Sequence, residues 1–169
     1  MKSLLHKIRA VGSSPPRAPM KHILWSWLGS AFAIGSAAAI AVFAEMPFVF
    51  APLGASAVLA FAIPDSPLAQ PRNIIGGHLI CAIVGVLFLI FLGNAWWVMP
   101  LAVATAIAAM LLTKTVHPPA GANPLIVLMA SSQWDFVFMT VLPGAMILTM
   151  CALIFNNLAK DHRYPTYWW

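Results

Sequence analysis

Thr115-Val116-His117-Pro118-Pro119-Ala120-Gly121-Ala122-Asn123-Pro124 opens an apolar run that continues to Ser131, and no uninterrupted helix fits it. Proline removes a backbone donor and pushes the residue before it out of the helical region. The run therefore predicts an extended stretch followed by a half-length helix beginning near Gly121. Residues 46–63 pose the same problem, with Pro47, Pro52 and Gly54 in their first half. They predict a second extended stretch and a half-helix beginning near Gly54. Eight extended residues from Met46 reach about 26 Å, and ten helical residues to Ile63 add roughly 15 Å. Together they can cross about 30 Å of hydrocarbon. Irregular backbone at that depth is tolerable only where protein or a wet cavity surrounds it, which puts both broken segments at the centre of a bundle.

The neighbouring apolar runs, residues 23–43, 74–92, 95–113 and 136–158, carry no comparable break and read as ordinary spanning helices. The whole chain agrees: of 169 residues 62% are hydrophobic and only 8% charged, with a mean hydropathy of +0.89. A soluble domain carries about a quarter charged residues, so an ordinary soluble fold and intrinsic disorder are both excluded. The expected fold is an all-α integral membrane protein of six segments, the second and fifth broken. Residues 1–22 form a flexible basic arm, 23–158 the transmembrane domain, and 159–169 a short tail.

Charge sets the orientation. The net charge of +5 sits largely in the ends, which reads as a cytoplasmic membrane flank and not as nucleic-acid binding. With six crossings the N-terminal arm, Arg72, Lys114, Lys160 and Arg163 all face the cytoplasm, while Glu45 and Asp135 face outward. Four crossings with two re-entrant hairpins would move Arg72 and Lys114 outside, against the positive-inside rule. Both termini are thus expected in the cytoplasm of a multi-pass protein of the cell (inner) membrane. Ser13-Ser14-Pro15-Pro16 separates the first charges from a run too long for a signal peptide. Cys81 and Cys151 have no partner at metal-ligand spacing, so neither a disulfide nor a metal site is expected, and no cofactor is called for.

A shift of 67 positions lays Pro52-Leu53-Gly54-Ala55-Ser56-Ala57 over Pro119-Ala120-Gly121-Ala122-Asn123-Pro124. Each half, about 23–92 and 95–158, then reads as helix, broken helix, helix. Three crossings per half force opposite orientations: two inverted three-segment repeats, the usual build of a secondary transporter. In that arrangement the half-helix N-termini face one another near the midplane. Each offers unpaired N–H donors and roughly half a positive charge. The implied ligand is a small monovalent anion, held without burying Lys or Arg in lipid.

Thr113-Lys114-Thr115-Val116-His117-Pro118-Pro119-Ala120-Gly121-Ala122 resembles the signature of the HPP family of integral membrane proteins. A second stretch is similar too, Pro52-Leu53-Gly54-Ala55-Ser56-Ala57-Val58-Leu59 continuing through Asp65-Ser66-Pro67-Leu68-Ala69-Gln70-Pro71-Arg72-Asn73-Ile74-Ile75-Gly76-Gly77-His78. Members in cyanobacteria and chloroplasts are implicated in nitrite transport, so the resemblance implies a transporter of nitrite or a similar anion. The family is commonly described with four spans, against the six counted from the residues. Some relatives carry soluble regulatory modules, for which this chain has no room.

On these grounds Gly54, Ala55, Ser56, Gly121, Ala122 and Asn123 are expected to line the anion site. Ser56 and Asn123 would occupy the first turns of the half-helices, where helix capping is the alternative role. His117 has two readings: a donor to the anion or acceptor of a co-transported proton, or a fixed histidine bonded to a free carbonyl at the Pro-Pro turn. His78 is the secondary candidate, with interfacial packing as its plainer role. Arg72 and Lys114 would attract anions at the inner mouth or merely snorkel to lipid phosphates. Gln70 and Asn73 would order the Arg72 loop. The small-residue ladder Gly29, Ala33, Gly35, Ala39 suits close helix packing or a homodimer. An enzyme is not expected, because Glu45, Asp65, Asp135 and Asp161 all lie at margins, leaving no acid–base pair inside. A continuously open anion channel and a non-transporting scaffold or sensor are the competing functions.

Overall fold

The computed structural model describes residues 14–43, 45, 51–158 and 163–168. These build helices α1 (Met20–Phe43), α2 (Ala51–Ala62), α3 (Pro71–Leu92), α4 (Val98–Thr113), α5 (Asn123–Ala130) and α6 (Trp134–Leu158), with no strand among the described residues. Pro67–Ala69 and Pro118–Ala122 are 3₁₀ turns, and α6 contains a π-helical turn at Val137–Val141. Three helices, α1, α3 and α6, are long and apolar enough to cross a membrane, with α2 and α4 as shorter apolar helices. The extended stretch expected before α2 falls mostly on residues 46–50, outside the described residues, as do Lys160 and Asp161.

Proline positions correct two helix starts. The second segment is already helical at Ala51, ahead of Gly54, and the fourth begins at Val98, not at Ala95. In both cases proline, Pro52 or Pro100, lies within the first turn, where its missing N–H has no intrahelical partner to lose. The helix is thereby anchored beside its proline. Ser56 consequently sits in the second turn of α2, whereas Asn123 is the first residue of α5. At sixteen residues, or about 24 Å, α4 is shorter than an ordinary span. The fifth segment follows its expected course: Thr115 to His117 are non-helical, Pro118–Ala122 forms a 3₁₀ turn, and α5 follows.

Hydrogen bonds tie helix ends into two faces. At one face His22 Nε2 lies 2.7 Å from the Ala62 carbonyl and Ser26 Oγ donates to Phe61 O at 2.7 Å. Asn156 Nδ2 donates to Ala60 O, and Arg72 Nη2 donates to Thr113 O, each at 2.9 Å. The beginnings of α1 and α3 and the ends of α2, α4 and α6 therefore gather there. At the other face Asn94 Nδ2 donates to Ser131 Oγ at 3.3 Å, joining the α3–α4 loop to the end of α5.

Alanine dominates the interior, with Ala33, Ala57, Ala60, Ala82, Ala145 and Ala152 buried in one continuous core. Small side chains let these helices approach closely. Of the ladder on α1, Gly29 and Ala33 are buried whereas Gly35 and Ala39 face outward. The outer surface is as greasy as the core: Leu28, Phe32, Phe91, Leu112, Met129 and Ile154 are all exposed. Such a periphery suits lipid.

The last described residues are docked. Tyr164 is buried and its hydroxyl donates to Ala69 O at 2.7 Å. Tyr167 Oη lies 2.9 Å from Pro67 O and 3.0 Å from Asn73 Oδ1, either of which can accept its proton. Asn157 fastens the strap from behind through its amide and the Tyr164 backbone.

Candidate functional site

Four polar side chains with no exposed surface, Ser56, His78, His117 and Asn123, meet inside the apolar bundle. Each comes from a different element. Ser56 projects from α2, His78 from α3, His117 from the end of the extended stretch, and Asn123 from the start of α5. The backbone at His117 is extended (φ −141°, ψ 98°) because Pro118 follows it. Gly77 makes room for it: a Cβ there would stand 2.8 Å from the Cβ of His117 and 2.9 Å from Thr115 O. A bare backbone on α3 therefore sets how near His117 can come.

Ser56 Oγ is the hub. It lies 2.8 Å from His78 Nε2, 2.8 Å from His117 Nε2 and 3.0 Å from the Pro52 carbonyl. His117 Nδ1 is 2.7 Å from Leu68 O. Asn123 Nδ2 donates to the His78 carbonyl at 2.9 Å and lies 3.1 Å from His78 Nδ1. The two rings stand edge to face, centroids 5.1 Å apart.

These partners fix the proton positions. A carbonyl only accepts, so Leu68 O requires the proton of a neutral His117 on Nδ1, which leaves Nε2 an acceptor. The carbonyl of His78 likewise fixes the Asn123 amide with its nitrogen inward. That nitrogen donates to His78 Nδ1, so the proton of His78 resides on Nε2 and points at Ser56 Oγ. The Ser56 hydroxyl then donates to His117 Nε2. Donor follows acceptor in one direction from Asn123 through His78, Ser56 and His117 to Leu68 O. One polar atom of the cluster stays unmatched: Asn123 Oδ1 is buried with no hydrogen-bond partner among the described residues.

One ring nitrogen of His117 thus bonds a backbone carbonyl while the other faces Ser56. His78 is wholly buried at the centre of the cluster. Gly54 and Ala55 are exposed on α2 and do not lie inside it, and a Cβ on Gly54 or Gly121 would meet nothing within 4 Å. Gly121 and Ala122 are half-buried in the 3₁₀ turn. Space between Ser56 and Asn123 is filled by the His78 ring. Lys114 is exposed and ends α4 in the left-handed region (φ 57°). Arg72 borders a recess of about 430 Å³ lined also by Ile75, Gly76, Thr113, Thr115 and Trp168.

Gln70 and Asn73 do order the loop: Gln70 Nε2 donates to Pro64 O and Ser66 O, and Asn73 Nδ2 to Val116 O, beside His117. The sequence reading missed the tail. Tyr164 grips Ala69, next to the Leu68 carbonyl that holds His117. Two tyrosines in a polar tail were the available signal. Glu45, Asp65 and Asp135 are exposed, while two imidazoles and a hydroxyl meet inside.

The sequence family described as "HPP, transmembrane region" matches residues 15–165. Two transmembrane proteins of Dictyostelium discoideum are each 40% identical to the chain, over 167 and 168 residues. Each alignment covers 92% of this chain and 59% or 54% of the relative. The chain thus spans a little over half the length of these relatives. No solved structure matches significantly.

Proposed function

Because this chain belongs to the HPP transmembrane-region family, we propose that it carries a small monovalent inorganic anion across the membrane, with nitrite the leading candidate. The Ser56–His78–His117–Asn123 cluster carries this reading. Polar side chains inside a membrane bundle are costly and by default mark a pathway, and these four come from the two broken segments and the helix between them. Nitrite presents two acceptor oxygens and one charge, matched to convergent hydrogen-bond donors.

Six crossings arranged as inverted repeats belong to the same reading, with the anion passing between opposed half-helices near the midplane. Supporting it, the Pro118–Ala122 turn packs on α2, and the two half-helices end at opposite faces. The ends of α2 and α5 are tied respectively to the start of α1 and to Asn94. Lys21, Arg72, Lys114 and Arg163 belong to one face, which we assign to the cytoplasm of the cell membrane. The recess beside Arg72 is then the inner approach, with Thr115 on its wall two residues from His117. Outward-facing Gly35 and Ala39 suit a homodimer contact.

Purified protein in liposomes tests the reading. Nitrite uptake above empty vesicles, competed by related monovalent anions, is the expected result. No flux of nitrite, nitrate, chloride or formate would leave the scaffold or sensor function instead. A conductance of many ions per opening would favour the channel.

A further inference from the structure

Resting on that reading, we propose that Ser56, His78, His117 and Asn123 form a one-proton site, loaded at His117 Nε2, that couples each anion to one proton. The argument is geometric. In the neutral cluster the Ser56 hydroxyl donates to His117 Nε2, but a second acceptor, the Pro52 carbonyl, lies 3.0 Å from the same oxygen. When hydronium gives up a proton to the Nε2 lone pair, one of its O–H bonds breaks to leave water, and the new N–H bond donates to Ser56 Oγ. The hydroxyl hydrogen swings to Pro52 O. Ser56 Oγ then accepts from both imidazoles and donates once, within the capacity of a hydroxyl. Release to water at the opposite face reverses the step, with no electron transferred. Loaded and empty states are both fully hydrogen-bonded at Ser56, and no heavy atom needs to move.

The cluster rejects a second proton. At His78 the remaining nitrogen, Nδ1, faces the Asn123 amide N–H, which is held in that orientation by its bond to the His78 carbonyl. Protonating Nδ1 would require the Asn123 amide to turn and give up that bond. Leu68 O occupies the other nitrogen of His117.

The loaded His117 carries a positive charge, and the groups described around it are neutral. From α2 it meets Ser56, from α3 His78 and from the loop the Leu68 carbonyl, with Asn123 of α5 beyond His78. Buried polar side chains among the described residues include no carboxylate, lysine or arginine. In an apolar interior such a charge is stabilised by a partner of opposite sign, and the transported anion supplies it. Proton and anion then cross together without net charge.

The test uses the full chain in liposomes with a lumenal pH indicator, external nitrite and an acid-outside gradient. Accumulation of nitrite above equilibrium is expected, with one proton entering per nitrite beyond the empty-vesicle background. Clamping the membrane potential should leave the rate unchanged. His117→Gln, which keeps a hydrogen-bonding side chain but no site for the proton, should abolish acid-driven accumulation. Nitrite flux without lumenal acidification, or accumulation surviving in His117→Gln, overturns the proton site while leaving transport intact. Absence of any anion flux overturns transport and the coupling with it. Histidine ¹⁵N spectra of the unaltered protein in nanodiscs check the site independently of transport. Neutral His117 should carry its proton on Nδ1 and His78 on Nε2, with acid adding one proton at His117. The opposite tautomers, or first protonation at His78, would overturn the assignment.

Discussion

His78 and His117 share one hydrogen-bond partner: each presents its Nε2 atom to the Ser56 hydroxyl at 2.8 Å. Ser56→Ala removes the partner of both at once. A buried polar group left unsatisfied costs about 1–3 kcal/mol, so the melting temperature of the purified protein should fall by several degrees. Acid-driven nitrite uptake should be lost as well. An unchanged melting temperature would show that the hydroxyl holds neither ring.

Glycine substitutions separate packing from opportunity. Alanine at Gly77 drives a methyl group into the His117 Cβ and the Thr115 carbonyl, at 2.8 and 2.9 Å. One of these atoms is backbone and the other is a Cβ bonded directly to it, so little can yield. Overpacking of this kind costs about 1–3 kcal/mol, and a thermal melt should show it. Gly54→Ala meets open space in an exposed helical position, and alanine's better helix propensity is worth up to about 1 kcal/mol. It should leave stability unchanged or raise it. Equal damage at the two positions would contradict the packing described.

Cysteine labelling reads the orientation. Lys114→Cys should react with an impermeant maleimide only from the cytoplasmic side, and Asn94→Cys only from the opposite side. Background is low, since Cys81 and Cys151 are both buried. Labelling of Lys114→Cys from outside would discard six crossings in favour of four.

Alkali should loosen the tail. Burial raises the pKa of the Tyr164 phenol above its ordinary value, so the folded state favours the protonated form. Its contribution to stability is complete below the usual tyrosine pKa of about 10 and is lost as pH climbs toward the raised value. Tyr164→Phe should remove this alkaline sensitivity, so the loss of melting temperature between pH 9 and 11 should be smaller in the variant. Parallel alkaline curves would deny Tyr164 that role.

Much of the architecture was readable in the residues because proline and glycine act locally. The break at Pro118–Pro119 lies where backbone chemistry requires it, and Ser56 and Asn123, both expected at the site, each reach His78 in the central cluster. Glycine is a poor marker of where α2 opens, because Pro52 already lies within its first turn, and the apolar run alone does not mark the start of α4, which has Pro100 in its first turn. The two glycines expected at the site proved spacious, and the one that matters, Gly77, faces His117. His78 was undervalued for a different reason. It sits in a long, regular helix, and only the tertiary fold, through α2 and α5, gives its ring two partners. The tail was unreadable as structure, since its bonds depend on carbonyls far back in the chain.

Those bonds carry a consequence for biosynthesis. Tyr164, Thr166 and Tyr167 reach back 94 to 100 positions to Pro67, Ala69, Gln70 and Asn73. Helices of a membrane protein enter the bilayer in order as the ribosome delivers them. The loop that positions Leu68 beside His117 must therefore wait, unbraced, through the insertion of α4, α5 and α6. A nascent chain stalled after α6 could already hold every group of the central cluster and still lack the clasp that steadies one side of it.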